Sequence, residues 1–226
     1  MINIKPPLVS IITPSFNQGR FIKETIESVL TQDYPNIEHI VIDGGSNDNT
    51  LEILQTYAKK DSRFQYVSEP DRGQSHAINK GVEIAKGELI GWLNSDDTYL
   101  PGAIKNSVEA FNNNPDWSVV YGKAYITDEN NKRIKPYPVK TANVETLFKT
   151  CSICQPSAFI KKDILTELGG IDESLDFCMD YDLWIKAAKK GYKFGLINPF
   201  LANTRFYPDS KTGSRLVDVG LPEIIK

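Results

Sequence analysis

The chain has 226 residues, 40% of them hydrophobic and 24% charged, with a formal net charge of -3. This is an ordinary globular composition with enough apolar material for a substantial core, and it argues against long disordered stretches. The small negative charge supplies no basic field for nucleic acid, and three cysteines are too few for a disulfide framework.

Leu8 to Thr13 is a short apolar run rich in β-branched residues, stopped by Pro14, and reads as a first strand. Ile22, Ile26, Val29 and Leu30 recur at helical spacing, which predicts an amphipathic helix over about 20–31. Ile37 to Ile42 is a second strand ending at Asp43, and the turn Gly44-Gly45-Ser46-Asn47-Asp48 can cap a helix starting near Thr50. Phe64 to Val67 gives a third strand, His76 to Ala85 a third helix, and Glu88 to Leu93 a fourth strand that ends at Asn94-Ser95-Asp96-Asp97. Pro101 suits the first turn of the next helix, with Ile104, Val108 and Phe111 along one face.

The second half is less regular. Trp117 to Tyr125 reads as strand, 128–150 as loop with short helical pieces, and Ser157 to Ile160 as a strand followed by a helix to about Leu168. Asp180 to Lys190 carries Leu183, Trp184, Ala187 and Ala188 at helical spacing, and Lys193 to Ile197 closes the pattern as a last strand. Strands alternating with helices predict an α/β fold with a mostly parallel central sheet flanked by helices. Each polar cluster follows the C-terminal end of a strand, where open α/β sheets bind ligands.

Several features have ordinary readings. The basic run Lys132-Arg133-Ile134-Lys135 is short enough to be a solvated loop. Cys151 and Cys154 form a lone C-x-x-C without a second ligand pair, better read as thiols in a reducing cytoplasm than as a zinc site. Met1 to Leu8 lacks the apolar run of a signal peptide, and no stretch reaches the ~20 apolar residues of a membrane span. The expected location is cytoplasmic, with peripheral docking on the inner face of a membrane left open. His39 and His76 have no partner cluster and read as structural or surface residues.

Asn94-Ser95-Asp96-Asp97 is the sharpest cluster. Adjacent carboxylates repel each other and any phosphate unless a hard divalent cation such as Mg2+ or Mn2+ sits between them. On these residues alone, a turn capping the following helix is the better reading. Asp43, followed by two glycines and a serine, is equally ambiguous: turn chemistry, or a carboxylate that accepts a base N–H where glycine lets the backbone approach. No Walker-type or G-x-G-x-x-G run is present, so a P-loop does not handle phosphates here.

Taken in order, Thr13-Pro14-Ser15-Phe16-Asn17, Ile42-Asp43-Gly44-Gly45-Ser46-Asn47-Asp48, Glu69-Pro70-Asp71-Arg72-Gly73, Asn79-Lys80-Gly81, Trp92-Leu93-Asn94-Ser95-Asp96-Asp97 and Met179-Asp180-Tyr181-Asp182-Leu183-Trp184 carry a likeness. The chain resembles the large inverting, GT-A-fold family of bacterial cell-envelope glycosyltransferases, the family 2 type, over roughly residues 8–207. The resemblance implies one GT-A domain over 1–226, with a nucleotide-sugar-binding half at about 1–97 and an acceptor-binding half at about 98–226. It implies a nucleotide pocket of Pro14, Ser15, Asn17, Asp43, Ser46, Asp71, Gly73, Lys80 and Ser95, with Asp43 reading the uracil edge of a UDP-sugar. Asn94-Ser95-Asp96 matches the D-x-D metal motif, with Asp96 the direct ligand of Mn2+ or Mg2+ and Asn94 binding through its carbonyl or through water.

Met179-Asp180 matches the family's Glu-Asp pair, which implies Asp180 as the catalytic base. Such a base takes the acceptor's proton as its oxygen attacks the anomeric carbon, and a single displacement inverts the configuration. Capping the helix that carries Trp184 is the plain alternative for Asp180, and Asp182 reads as structural. Gln155 and Trp184 are candidates on the acceptor side, Trp184 with core packing as its more ordinary use. A histidine that often helps to bind the metal is replaced here by Tyr207, so weak metal dependence is expected. The expected partners are a nucleotide-sugar donor and a glycan or lipid-linked acceptor. Two other readings compete: a sugar-nucleotide pyrophosphorylase, disfavoured because Thr13 to Asn17 lacks a Gly-rich basic loop, and a nucleotide-sugar-binding module that has lost catalysis.

Overall fold

The computed structural model describes residues 6–225, so any reading of Met1 to Lys5 or of Lys226 lies outside it. Strands β1 (Val9–Ser15), β2 (Ile37–Asp43), β3 (Phe64–Ser68) and β4 (Leu89–Trp92) alternate with helices α1 (Ile22–Leu30), α2 (Thr50–Lys60) and α3 (Gln74–Ile84). There follow β5 (Thr98–Tyr99), α4 (Ala103–Asn113), β6 (Trp117–Thr127), β7 (Arg133–Pro136) and α5 (Val144–Leu147). A 3-10 turn at Gln155–Ser157 leads into β8 (Ala158–Lys161), α6 (Lys162–Glu167), α7 (Met179–Lys189) and β9 (Lys193–Arg205). The tail holds α8 (Lys211–Arg215), a π turn (Leu216–Gly220) and α9 (Leu221–Ile225).

The strands form one mixed sheet in the order β3-β2-β1-β4-β8-β6-β9-β5, with β7 added on β6. The β3-β2-β1-β4 half is parallel throughout. Strand β8 lies antiparallel to both β4 and β6, and β6 runs parallel to β9. Every residue of β1 is buried, as a central strand covered on both faces requires. The two-residue period of the strand divides the core. Ile12, Ile40, Ile42 and Ile90 face α3, α6 and α7, whereas Val9, Ile11 and Leu89 face α1 and α4.

Gly91 marks the tightest point of β4. A Cβ there would stand 2.6 Å from Tyr99 Oη, 2.8 Å from Ile11 Cδ1 and 2.9 Å from Phe159 Cε1. Gly91→Ala is expected to destabilise the protein by about 1–3 kcal/mol through overpacking, read as a lower urea midpoint at constant slope.

Differences from the sequence expectation cluster in the second half. Arg133–Pro136 is a strand, not loop, but all four residues are exposed, so its side chains remain solvated as anticipated. Strand β9 continues past Ile197 to Arg205, and Pro101 lies in the turn before α4, whose N-cap is Gly102 in the left-handed region at φ +81. His39 is structural: its ring is fully buried, Nε2 meets Thr13 Oγ1 at 3.0 Å, and burial pushes its pKa down to about 3.

Candidate active site

A cavity of about 840 Å3 opens at the C-terminal ends of β1 and β4. Pro14, Ser15, Asp71, Gly73, Asn94, Ser95, Asp96, Gln155 and Asp180 line it. These residues, which span most of the chain, thus share one cavity. Asn17, Asp43, Ser46, Lys80 and Trp184 stand behind the wall or elsewhere.

The first wall is two loops zipped together. Asn17 N donates to Ser46 Oγ at 2.7 Å, Asn47 N to Asn17 Oδ1 at 2.9 Å, and Gly19 N to Asp48 Oδ2 at 2.9 Å. Asn17 takes φ 53, a left-handed conformation that asparagine tolerates better than most residues. Asp43 is fully buried and its carboxylate is saturated. Oδ1 accepts Ser46 Oγ, while Oδ2 accepts Ser68 Oγ at 2.7 Å and the N–H groups of Ser46 and Gly45 at 3.0 and 3.2 Å. Asp43 here holds the turn, the plainer of its two readings. Asp71 Oδ1 accepts Gly73 N at 2.8 Å, and Lys80 pairs with Glu69 behind the cavity.

The second wall is the Asn94–Asp97 turn. Asn94 Oδ1 accepts Trp92 Nε1 and Gln74 Nε2, each at 2.8 Å, and its Nδ2 donates to Gln155 Oε1 at 3.0 Å and Asp97 Oδ2 at 3.3 Å. These bonds engage the side chain that was expected to serve a cation. Its carbonyl already accepts two donors, so the residue is the hub that ties β4 to α3 and the 3-10 turn. Gln155 is likewise engaged, donating from Nε2 to Trp92 O at 2.5 Å.

Asp96 is the carboxylate left facing the cavity, and Tyr207 Oη donates to its Oδ2 at 3.0 Å. Tyr207 thus stands beside Asp96, where the resemblance put the family's histidine. Arg205 packs between these groups with its side chain 1% exposed. Its Nη1 donates to Asp96 O at 2.5 Å, its backbone N to Asp97 Oδ1 at 2.9 Å, and its Nη2 pairs with Glu24. Thr25 Oγ1 reaches both Ser95 O and Asp97 O at 2.8 Å, so α1 and β9 fix the turn from two sides. Burial raises the pKa of Asp96, and burial followed by the Asp96 charge raises that of Asp97. Such a pair resists holding two negative charges, which suits a site completed by positive charge.

Asp180 stands in the first turn of α7. The N-cap position is Cys178, and Asp180 meets the first-turn amides from within the helix. Burial pushes its carboxyl up to about 6, against backbone N–H groups of Tyr181 and Asp180 and the Lys211 ammonium, which pull it down. Asp182 pairs with Lys186 at 2.7 Å on the helix surface, as its structural reading expects. Trp184 does not reach the acceptor side. It is 3% exposed and packs in the core beneath the cavity, because its position on α7 faces the sheet.

Sequence reasoning missed the closing wall. Residues 207–225 return over the cavity and contribute Ser210, Lys211, Thr212, Leu216 and Ile224. Lys211 Nζ donates to Gln74 Oε1 at 2.7 Å and to Asp176 O at 2.5 Å. Nothing local announces this role, since it depends on where β9 ends. Ser15 Oγ, Gln18 Oε1 and Arg205 Nε are buried without a protein partner, and all three residues line the cavity, as polar groups awaiting a ligand do.

The sequence profile described as Glycosyl transferase family 2 matches residues 10–169. An uncharacterized glycosyltransferase of Methanocaldococcus jannaschii is 33% identical over 206 residues, covering 88% of this chain and 71% of that protein. Chondroitin synthase of Escherichia coli is 28% identical over 213 residues, which cover 93% of this chain but 30% of the synthase. Among solved structures, S. aureus TarS in complex with UDP-GlcNAc superposes with a TM-score of 0.75 at 19% identity, covering 92% of this chain and 61% of that one. The mannosyltransferase PcManGT of Pyrobaculum calidifontis, in complex with GDP-Man and Mn2+, gives 0.70 at 21% identity, covering 89% of this chain and 57% of that one. The alternation of β1 to β4, the Asn94–Asp97 turn and the profile match agree: the chain belongs to glycosyl transferase family 2 and is a glycosyltransferase with the GT-A fold.

Proposed function

We propose that this glycosyltransferase moves a sugar from a UDP-sugar to a hydroxyl of a glycan or lipid-linked acceptor, with inversion, in the synthesis of cell-envelope polysaccharide. The carrying observation is that Asp96 and Asp180 face one cavity of about 840 Å3, large enough for a nucleotide sugar beside an acceptor hydroxyl. Family membership sets the pyrophosphorylase reading aside. TarS was solved with UDP-GlcNAc and PcManGT with GDP-Man, so both solved relatives hold nucleotide-sugar donors.

In this reading 1–226 is one domain, with the donor against Pro14, Ser15, Asp71 and Gly73 and the acceptor between Gln155 and α7. Asp180 accepts the proton of the attacking hydroxyl, and its raised pKa makes it a stronger base than an exposed aspartate. Arg205 neutralises the Asp96–Asp97 turn from behind and keeps its backbone fixed. The residues fit one divalent cation: Asp96 would hold it together with diphosphate oxygens. When bound, it would offset the charge that develops on the leaving diphosphate. The donor set is thin. Among the described residues no group of three or more His, Cys, Asp or Glu side chains is gathered for a metal, so the diphosphate would supply the other oxygens. Among the described residues no helix is long and apolar enough to cross a membrane. The cytoplasm remains the proposed location, with docking at the inner membrane face left open.

The test is calorimetric titration of UDP, GDP and CDP, each with and without Mn2+. Binding of UDP that tightens with Mn2+ is expected. Absence of binding by all three under both conditions would overturn the reading.

A further inference from the structure

The tail does more than roof the cavity. It grips the turn that leads into α7, and Glu223 is its main point of attachment. Glu223 Oε1 accepts Asp176 N at 2.9 Å, and Oε2 accepts Phe177 N at 2.9 Å and Cys178 N at 2.8 Å. One carboxylate thus binds three successive amides, immediately before the helix whose first turn bears Asp180. Bonds of this kind, to an ionised acceptor, are about twice as strong as neutral ones.

Other contacts hold the same turn. Lys211 Nζ donates to Asp176 O at 2.5 Å and Oδ1 at 3.2 Å, Arg215 pairs with the Asp176 carboxylate, and Cys178 Sγ lies 3.5 Å from Gly220 O. Lys211 also reaches Gln74, which in turn holds Asn94, so the tail spans from the base turn to the Asn94–Asp97 turn. Burial pushes the Glu223 carboxyl up, but the three amides outweigh it and keep it below the usual glutamate range. The carboxylate form is therefore the one that binds the turn at neutral pH.

We propose that Glu223 is a positioning residue for sugar transfer: by fixing the Asp176–Cys178 backbone it sets the direction in which α7 presents Asp180 to the acceptor. The inference rests on the reading of Asp180 as the base. Around Asp180 stand Lys211 from the tail, Tyr137, Cys151 and Cys154 from the segments facing α7, and Cys178 before it. Of these only Cys178 also touches Glu223, through its amide and through the charge that pushes its thiol up, so Glu223 reaches Asp180 by way of the turn.

The experiment compares the full chain with Glu223→Ala, Glu223→Gln and Asp180→Asn, measuring nucleotide release from UDP-GlcNAc and GDP-mannose across pH. Glu223→Ala is expected to lower turnover about tenfold or more, the scale of a small misplacement of a reacting group. Its donor KM should stay within about twofold. Its acid limb should move to lower pH as water reaches Asp180. Glu223→Gln, which keeps one acceptor oxygen, should fall between the two, and decides the matter if the alanine variant does not fold. Iodoacetamide should label Cys178 faster in Glu223→Ala, since the thiol is freed from Gly220. Unchanged turnover and acid limb in Glu223→Ala would overturn the proposal, as would a loss that falls equally on donor binding. Full turnover in Asp180→Asn removes the base reading and this role with it. A dead Asp180→Asn beside a normal Glu223→Ala removes the positioning role alone.

Discussion

Asp180→Asn is expected to lower sugar transfer by about three orders of magnitude while leaving nucleotide affinity nearly unchanged, the range found for removal of a general base. The amide keeps the shape and the backbone hydrogen bonds of the first turn of α7, so folding is preserved and only proton acceptance is lost. The unsubstituted enzyme carries a matching pH signature. Asp180 must be ionised to work, and burial places its pKa at about 6. The rate should therefore fall as pH drops through about 6, approaching tenfold per unit below it, and flatten above it. A pH profile of kcat/KM in the unsubstituted chain, set beside binding titrations of the variant, checks both. A variant with full activity, or an acid limb near the pKa of an exposed aspartate, would remove Asp180 from the role.

Asp96→Asn is the second large expected effect. It removes the carboxylate that faces the cavity, and with it the gain from Mn2+. Loss of one such electrostatic element costs about a hundredfold or more in turnover. The variant should fold well. Asparagine still accepts the Tyr207 hydroxyl, and removing the Asp96 charge relieves the repulsion that raises the pKa of buried Asp97. Tyr207→Phe is the informative partner, because it removes one hydrogen bond to Asp96 without touching its charge. Its effect should stay within about tenfold, the scale of one hydrogen bond to a charged group. Steady-state rates over a Mn2+ series separate the two. An Asp96→Asn enzyme that still responds to Mn2+ like the parent would show that the cation is held elsewhere.

The parallel half of the sheet was legible because β1 and β4 are buried throughout and read as short apolar runs, and β2 carries the run Ile40-Val41-Ile42. Strand β5 has only two residues and carries no periodicity, and β7 is an exposed edge whose side chains obey no alternation. Strand β9 runs on past Ile197 because its pairing with β6 resumes in a shifted register beyond Pro199, a continuity the apolar pattern does not show. Tyr207 was placed at the site by the resemblance, but the packing of Arg205 and the return of the chain beyond Tyr207 over the cavity were not legible. At the site, Asp96 and Asp180 were visible through the motifs that carry them. Lys211 and Glu223 belong to no motif, and their partners lie 35 to 47 residues or more away, so only the folded chain reveals them. Trp184 was ambiguous for a different reason, since helical spacing says that a face is buried without saying what lies under it.

The saturated carboxylate of Asp43 bears on selectivity. A base that did reach it would gain little by attraction, because each new bond would replace one that Ser46, Ser68 or Gly45 already makes. Discrimination among uracil, guanine and cytosine would then come from unequal penalties. A base too large for the space in front of this wall would have to part the Asn17–Ser46 zipper and leave its donors unpaired. On this account the choice of donor is enforced by exclusion, and loosening the zipper would broaden donor range before it weakened binding.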